Sequence, residues 1–144
     1  LVKLKREKPE YKNLKYKKIL SYLSKMDNSK SDIALVSNKK LLETGTSNLL
    51  FVKDQKFFMP KKGYYEGNTY KFFKTKIKKI IKKDILLKEI KKYDEILLIG
   101  SGKGVASVRT INEIKWKRKN LEKFNILSKH YHAVMNECNS YKFK

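Results

Sequence analysis

Between two apolar runs, Leu41-Leu42 and Leu49 to Val52, the chain places Glu43-Thr44-Gly45-Thr46-Ser47-Asn48, one acid followed by small hydroxyl and amide residues. Short apolar runs bounded by turn-forming residues predict buried strands. A carboxylate set between two such strands constrains the fold, because an ionised acid held there without a cation or donor is strongly destabilising. Glu43 therefore lies near a sheet edge or is paired with a positive group.

The flanking sequence supplies the remaining elements. Residues 1–11 form a basic, Pro-containing lead-in that reads as a connection, a linker from a preceding domain, and 12–144 as one domain. From Leu14, Tyr16, Ile19, Leu20, Leu23 and Met26 fall on one helical face, with Asn13 as N-cap, Lys15 in the first turn and Asp27-Asn28-Ser29 as exit. Asp32 to Ser37, Leu41 to Thr44, Ser47 to Lys53 and Lys56 to Met59 predict four strands of a meander that stops at Pro60. A helix is predicted over Tyr70 to Lys83, opened by Asn68-Thr69, with Tyr70, Phe73, Ile77, Ile80 and Ile81 as its stripe. Ile85 to Leu87 and Glu89 to Tyr93 read as a short strand and a helical turn, Glu95 to Ile99 as a buried strand, and Val105 to Ile111 as another with Trp116 packed behind it. Glu122 to Cys138 closes the domain as an amphipathic helix carrying Phe124, Leu127, Tyr131, Val134 and Cys138 on one face. The class is α+β.

A formal charge of +22 on 144 residues invites a nucleic-acid reading. The kind of base argues against it. Only Arg6, Arg109 and Arg118 of the 36 basic residues are arginine, the side chain suited to bidentate recognition, and the lysines keep company with Asn, Ile, Tyr and Phe, all A- and T-rich codons. Cys138, the single cysteine, cannot form an internal disulfide and fits a reducing compartment. No apolar run approaches transmembrane length and no signal pattern opens the chain, so the cytoplasm is expected; the start at Leu1 rather than Met suggests a preceding segment. His130 and His132, two apart on a helix, face different ways and do not make a metal pair.

Two glycine-containing turns are competent to hold a phosphate. Gly100-Ser101-Gly102-Lys103-Gly104 follows a buried strand, but fits neither the Walker nor the Rossmann spacing. Gly67-Asn68-Thr69 opens a helix, whose first N–H groups face whatever precedes them. Either turn alone is explained by an ordinary connection or cap; both together with Glu43 form a more specific set.

In this order, Lys15 in NLKYKKIL, Glu43 in ETGTSNLLFVKD, Pro60, the GNT of 67–69 and YDEILLIGSGKGVASV, the chain resembles the C-terminal domain of the class IV pyridoxal-phosphate enzymes. That family includes branched-chain aminotransferases, D-amino-acid aminotransferases and aminodeoxychorismate lyases. The resemblance implies a fold-type IV cofactor-binding domain, a mixed sheet or pseudo-barrel with surrounding helices, that binds pyridoxal 5'-phosphate. It makes Lys15 the Schiff-base lysine and proton shuttle, with a pKa depressed by burial and nearby positive charge. Glu43 becomes the partner of the protonated pyridine nitrogen, which would also answer its need for a positive group. Gly67, Asn68, Thr69, Ser101 and Gly102 become the phosphate ligands, with Ser47 and Asn48 beside the cofactor.

The resemblance also implies a small-molecule amino substrate, a homodimer, and a smaller N-terminal domain with a phosphate-binding arginine that nothing here matches. The family's Gly-Ile-Thr-Arg turn is Gly67-Asn68-Thr69-Tyr70 in this chain, without the basic residue. Lys15 is followed by Tyr16-Lys17-Lys18 and not by the Gly-Asn-Tyr of the branched-chain enzymes, which favours the lyase or D-amino-acid branch. In the lyase, Lys15 removes a ring proton of 4-amino-4-deoxychorismate and pyruvate leaves to give 4-aminobenzoate. A basic nucleic-acid module and a non-catalytic remnant are the readings from other classes.

Overall fold

The apolar run that begins at Asn48 forms the central strand of the molecule. In the computed structural model, which describes residues 1–11 and 15–137, the first half contains β1 (Val2–Lys3), α1 (Lys17–Leu23), β2 (Ala34–Ser37), β3 (Lys40–Thr44), β4 (Asn48–Lys53), β5 (Lys56–Pro60) and α2 (Asn68–Lys76). The second half contains β6 (Ile80–Lys83), β7 (Ile85–Leu86), a 3₁₀ helix over Leu87–Lys92, β8 (Glu95–Gly100), β9 (Gly104–Ser107), β10 (Thr110–Ile111), a second 3₁₀ helix over Asn112–Ile114, β11 (Trp116–Lys117) and α3 (Glu122–Glu137). Asn13, Leu14 and Cys138 lie outside the described residues.

The strands form a sheet ordered β1-β2-β3-β7, a second ordered β6-β5-β4-β8-β9, and a small β10-β11 pair. Both larger sheets are mixed, since β1 and β6 run parallel to their neighbours and the other ladders are antiparallel. The α+β class is therefore the observed one, and among the described residues the sheets do not join into a closed barrel.

Side-chain alternation stacks these sheets in layers. Leu49, Phe51, Ile96 and Leu98 share a core with Val36, Leu41 and Ile85 of the facing sheet, while Leu50, Val52, Leu97 and Ile99 pack with Tyr70 and Phe73 of α2 and Leu127 of α3. β4 and β8 are thus buried on both faces, which is why they read as unbroken apolar runs. On the far side of the first sheet, Leu35 and Ile33 receive Ile19 and Leu23 of α1.

The expected meander is split. The turns Asn38-Lys39 and Asp54-Gln55 have positive φ at both positions, the two-residue geometry that keeps a hairpin in one sheet. At Thr44–Ser47 the threonine hydroxyl instead accepts the Ser47 N–H at 2.9 Å and turns the chain into the second sheet. β2–β3 and β4–β5 are consequently hairpins of different sheets.

Further expectations are corrected. The helix predicted through Lys83 ends as α2 at Lys76, and Ile80 and Ile81 pair with Phe57 and Phe58 of β5. Continuing the helix would stack Lys71, Lys74, Lys78 and Lys82 three and four residues apart with no acid among them, whereas two β-branched residues suit a strand. α1 begins at Lys17, so Lys15 precedes the helix, and Leu20 of the expected stripe is half exposed. The strand predicted over Val105 to Ile111 is broken into β9 and β10, the latter pairing with β11 where Trp116 donates to the Tyr93 carbonyl at 3.0 Å. The lead-in is more than a connection, because Val2 and Lys3 pair with Leu35 and Val36 at the edge of the first sheet.

An acid at the head of β8 also finds its reason. The Glu95 carboxylate, fully buried, accepts the N–H groups of Lys123 at 2.8 Å and Phe124 at 2.9 Å and so caps α3.

Candidate functional site

Where β3 ends and β4 begins, two buried side chains reach across to the loop before α2. Glu43 Oε2 accepts the Tyr65 N–H at 3.2 Å, Asn48 Nδ2 donates to the Tyr65 carbonyl at 2.6 Å, and Asn48 Oδ1 accepts the Gly67 N–H at 3.1 Å. The three bonds hold residues 65–67 extended and deliver the start of α2 to a fixed place. A Cβ on Gly67 would stand 3.2 Å from Asn48 Oδ1, so the close approach suits glycine.

At that helix start Thr69 is buried, and its Oγ1 lies 3.2 Å from Ser101 Oγ. Two turns thirty-two residues apart in sequence therefore meet. α2 has no acid in its first turn and no side-chain cap at Gly67, which leaves its first N–H groups facing the same spot. Beneath the second turn, a Cβ on Gly100 would stand 2.7 Å from Ser47 Oγ and 3.0 Å from the Thr46 carbonyl. Ser47 is thus the floor of the turn. Gly102 faces open space, and Asn68, the first residue of α2, is exposed. Thr69, Ser101, Gly102 and the α2 N-terminus make a cup of small donors suited to a phosphate.

Glu43 has the cation that its burial demands. Arg6 Nε donates to Glu43 Oε1 at 2.7 Å, with the two side chains 15% and 3% exposed. Burial pushes the carboxyl above its ordinary range, and the Arg6 guanidinium and the Tyr65 N–H work against that rise. Arg6 also lies over the Tyr16 ring, 5.7 Å from its centroid.

Lys15 stands differently from the rest of the expected set. Its side chain is 68% exposed, with Nζ 4.0 Å from Glu7 Oε2, so the burial expected for it is absent. Its position ahead of α1, not within it, leaves it on the surface. The two charged residues are nevertheless partnered by neighbours in the chain, Glu43 by Arg6 and Lys15 by Glu7. Arg6 and Tyr65 were not among the residues anticipated. For Arg6 the only signal in the sequence is the requirement that a buried Glu43 be paired; for Tyr65 there is none, because its contact is through the main chain.

The sequence matches the family described as amino-transferase class IV over residues 2–111. The fold is similar to that of 4-amino-4-deoxychorismate lyase from Pseudomonas aeruginosa, at 20% identity and TM-score 0.67, with 80% of this chain and 44% of that one covered. It is also similar to a fold IV transaminase from Curtobacterium pusillum, at 17% identity and TM-score 0.68, covering 90% and 46% of the two chains. A branched-chain amino acid aminotransferase from Thermobaculum terrenum in its PLP form matches at 17% identity and TM-score 0.63, covering 72% and 36%. At these identities the likeness is one of fold, and the chain spans less than half the length of each structure. Among curated proteins none matches.

Proposed function

The chain belongs to the class IV aminotransferase family, whose members depend on pyridoxal 5'-phosphate, and from that premise we propose that it is the cofactor-holding part of a lyase or transaminase acting on a small amino substrate. The observation that carries the reading is the meeting of Thr69 with Ser101, 3.2 Å apart at an uncapped helix N-terminus, on the same scaffold that buries Glu43.

The donor set fits the cofactor. Thr69, Ser101, Gly102 and the N–H groups of Asn68 and Thr69 would hold its phosphate, with Gly67 allowing the approach. Asn48 and Ser47 would act from behind, one fastening the loop 65–67 and the other supporting Gly100. Glu43, paired with Arg6, would accept a hydrogen bond from the ring nitrogen. When bound, the cofactor supplies an electron sink for charge developing on the substrate carbon. The Lys15 Nζ would take a proton from that carbon and return it, which requires the side chain to turn inward from its present contact with Glu7.

Of the family's reactions, we favour cleavage of 4-amino-4-deoxychorismate to 4-aminobenzoate and pyruvate. The absence of Gly-Asn-Tyr after Lys15 speaks against the branched-chain enzymes and leaves the lyase and D-amino-acid branches. Amino-group transfer is the second reading, and the similarity to a fold IV transaminase over 90% of this chain speaks for it. The opposite wall of the pocket would come from a second lobe, since the solved relatives are about twice the length of this chain. Assembly as a homodimer and residence in the cytoplasm complete the proposal.

The test is direct. Borohydride reduction of the protein with pyridoxal 5'-phosphate, followed by peptide mapping, is expected to place the label on Lys15. Label spread over the surface lysines with none enriched at Lys15 refutes the assignment.

A further inference from the structure

A second buried acid stands beside the cup, and the reading above gives it no role. The Asp32 side chain is 5% exposed, and its Oδ2 accepts Lys103 Nζ at 2.9 Å, Thr46 Oγ1 at 2.5 Å and Thr44 Oγ1 at 3.0 Å. Its Oδ1 accepts the Ile33 N–H at 2.8 Å. One carboxylate thus gathers the start of β2, the turn between β3 and β4, and the turn Gly100–Gly104.

We propose that Lys103 is a positioning residue for the phosphate cup: paired with Asp32, it holds the Gly100–Gly104 turn where Ser101 meets Thr69. The inference rests on the reading of Thr69 and Ser101 as phosphate ligands.

The turn needs such a tether. Three of its five residues are glycine; its ends, Gly100 and Gly104, are partners in the β8–β9 ladder, and inside it the Lys103 N–H donates to the Gly100 carbonyl at 3.1 Å. At its tip nothing lies within 4 Å of a Cβ on Gly102, so side-chain packing does not restrain it there. A glycine-rich segment loses much conformational freedom when it orders around a ligand. Lys103 sits one residue beyond the tip, three-quarters buried, and reaches back to an acid on another element. Fixing the turn in advance lowers the entropy lost on binding, and only a ligand that contacts the turn gains from it.

This selectivity gives the test. Affinities for pyridoxal 5'-phosphate and for pyridoxal, which lacks the phosphate, are measured by absorbance for the wild type, K103R, K103M and the double variant D32N/K103M. Amide hydrogen exchange at Ser101 and Gly102 is followed without cofactor. The double variant removes the buried charge that K103M leaves unpaired, so a fold is retained in at least one arm. A charge-assisted hydrogen bond predicts about tenfold weaker binding of the phosphorylated cofactor in K103M and the double variant. Pyridoxal affinity is expected to stay unchanged, K103R to hold wild-type affinity for both, and exchange at 101–102 to quicken without the tether.

Equal weakening for both probes, or unchanged affinity for the phosphorylated one in a wild type that binds it, refutes the positioning role alone. Wild-type protein that binds neither probe refutes the proposed function, and this inference with it.

Discussion

Replacing Arg6 by methionine tests the electrostatics on which the site depends. Arg6 Nε is 2.7 Å from a Glu43 side chain that is only 3% exposed. In R6M the acid either stays charged without its cation, for which breaking a buried pair costs about 3–5 kcal/mol, or it takes up a proton. Protonation at pH 7 costs at most about 3 kcal/mol, counted from the ordinary value of 4.5 at roughly 1.4 kcal/mol per pH unit, and less to the extent that burial has already raised the wild-type value. The cheaper route sets the loss. R6M is therefore expected to lose up to about 3 kcal/mol at pH 7, at most some 10 °C in Tm for a chain of this size.

The pH dependence follows with a definite sign. Burial raises the folded-state pKa of Glu43, so the native protein keeps a proton that the unfolded chain has already released. Stability contributed by that proton is fully present below the ordinary carboxylate value and is lost as pH rises through the raised one. Removing Arg6 moves the upper end of that window higher. At pH 5 the protonation route costs under about 1 kcal/mol, so the R6M penalty shrinks on acidification. Urea unfolding of wild type, R6M, E43Q and the double variant at both pH values gives the magnitude and the coupling. A penalty below about 1 kcal/mol at pH 7, or one that persists undiminished at pH 5, refutes the account of Glu43 as a buried ion held by Arg6.

Other expectations concern the walls of the same layers. Gly104 has φ +61°, and a Cβ there would meet the Tyr131 ring at 2.5 Å, so G104A combines a left-handed backbone with displacement of α3; the expected loss is about 2–4 kcal/mol, and unfolding of G104A within about 1 kcal/mol of wild type would contradict it. Burial pushes the Tyr70 and Tyr93 phenols up to about 12. Absorbance titration near 295 nm is expected to show two late ionisations, one removed by Y70F and one by Y93F. The Lys40 ammonium, 2.7 Å from Asp84, holds that carboxyl below its ordinary range. A depressed acid contributes stability that is present above its unfolded value and lost as pH falls through the folded one; K40M should remove this acid-side dependence, and an unchanged profile between the two would exclude the contact.

How far the fold could be read from sequence depended on whether the deciding information was local. β4 and β8 were legible because both of their faces are covered, and the hairpin turns because Asn38-Lys39 and Asp54-Gln55 sit between apolar runs. Ile80 and Ile81 are ambiguous in the sequence because their spacing serves a helical stripe and a strand equally well. The choice was made by Phe57 and Phe58, more than twenty residues away, which offer the strand a partner. The split of the meander is similar: strand lengths were visible, but the Thr44 hydroxyl bond that sends β4 into another sheet was not.

For the site, the sequence carried needs more clearly than partners. A buried Glu43 requires a cation, yet nothing in the chain selects Arg6, thirty-seven positions away, over the lysines around it. The resemblance sets Asn48 beside the cofactor, and the sequence does not show that both ends of its amide are engaged by Tyr65 and Gly67. Asp32 opened a predicted strand and carried no other mark, although its oxygens tie together three separated segments. These three residues share one physical character: each satisfies polar groups brought together by the fold. Their partners therefore exist only once the two sheets have packed. The lead-in follows the same logic, since Arg6 and Glu7 are ordinary charges until β1 pairs with β2 and sets one against Glu43 and the other against Lys15. A segment that read as connection thus supplies the charges beside both proposed chemical groups, and deleting it should disturb the ionisation of Glu43 before it disturbs the phosphate cup.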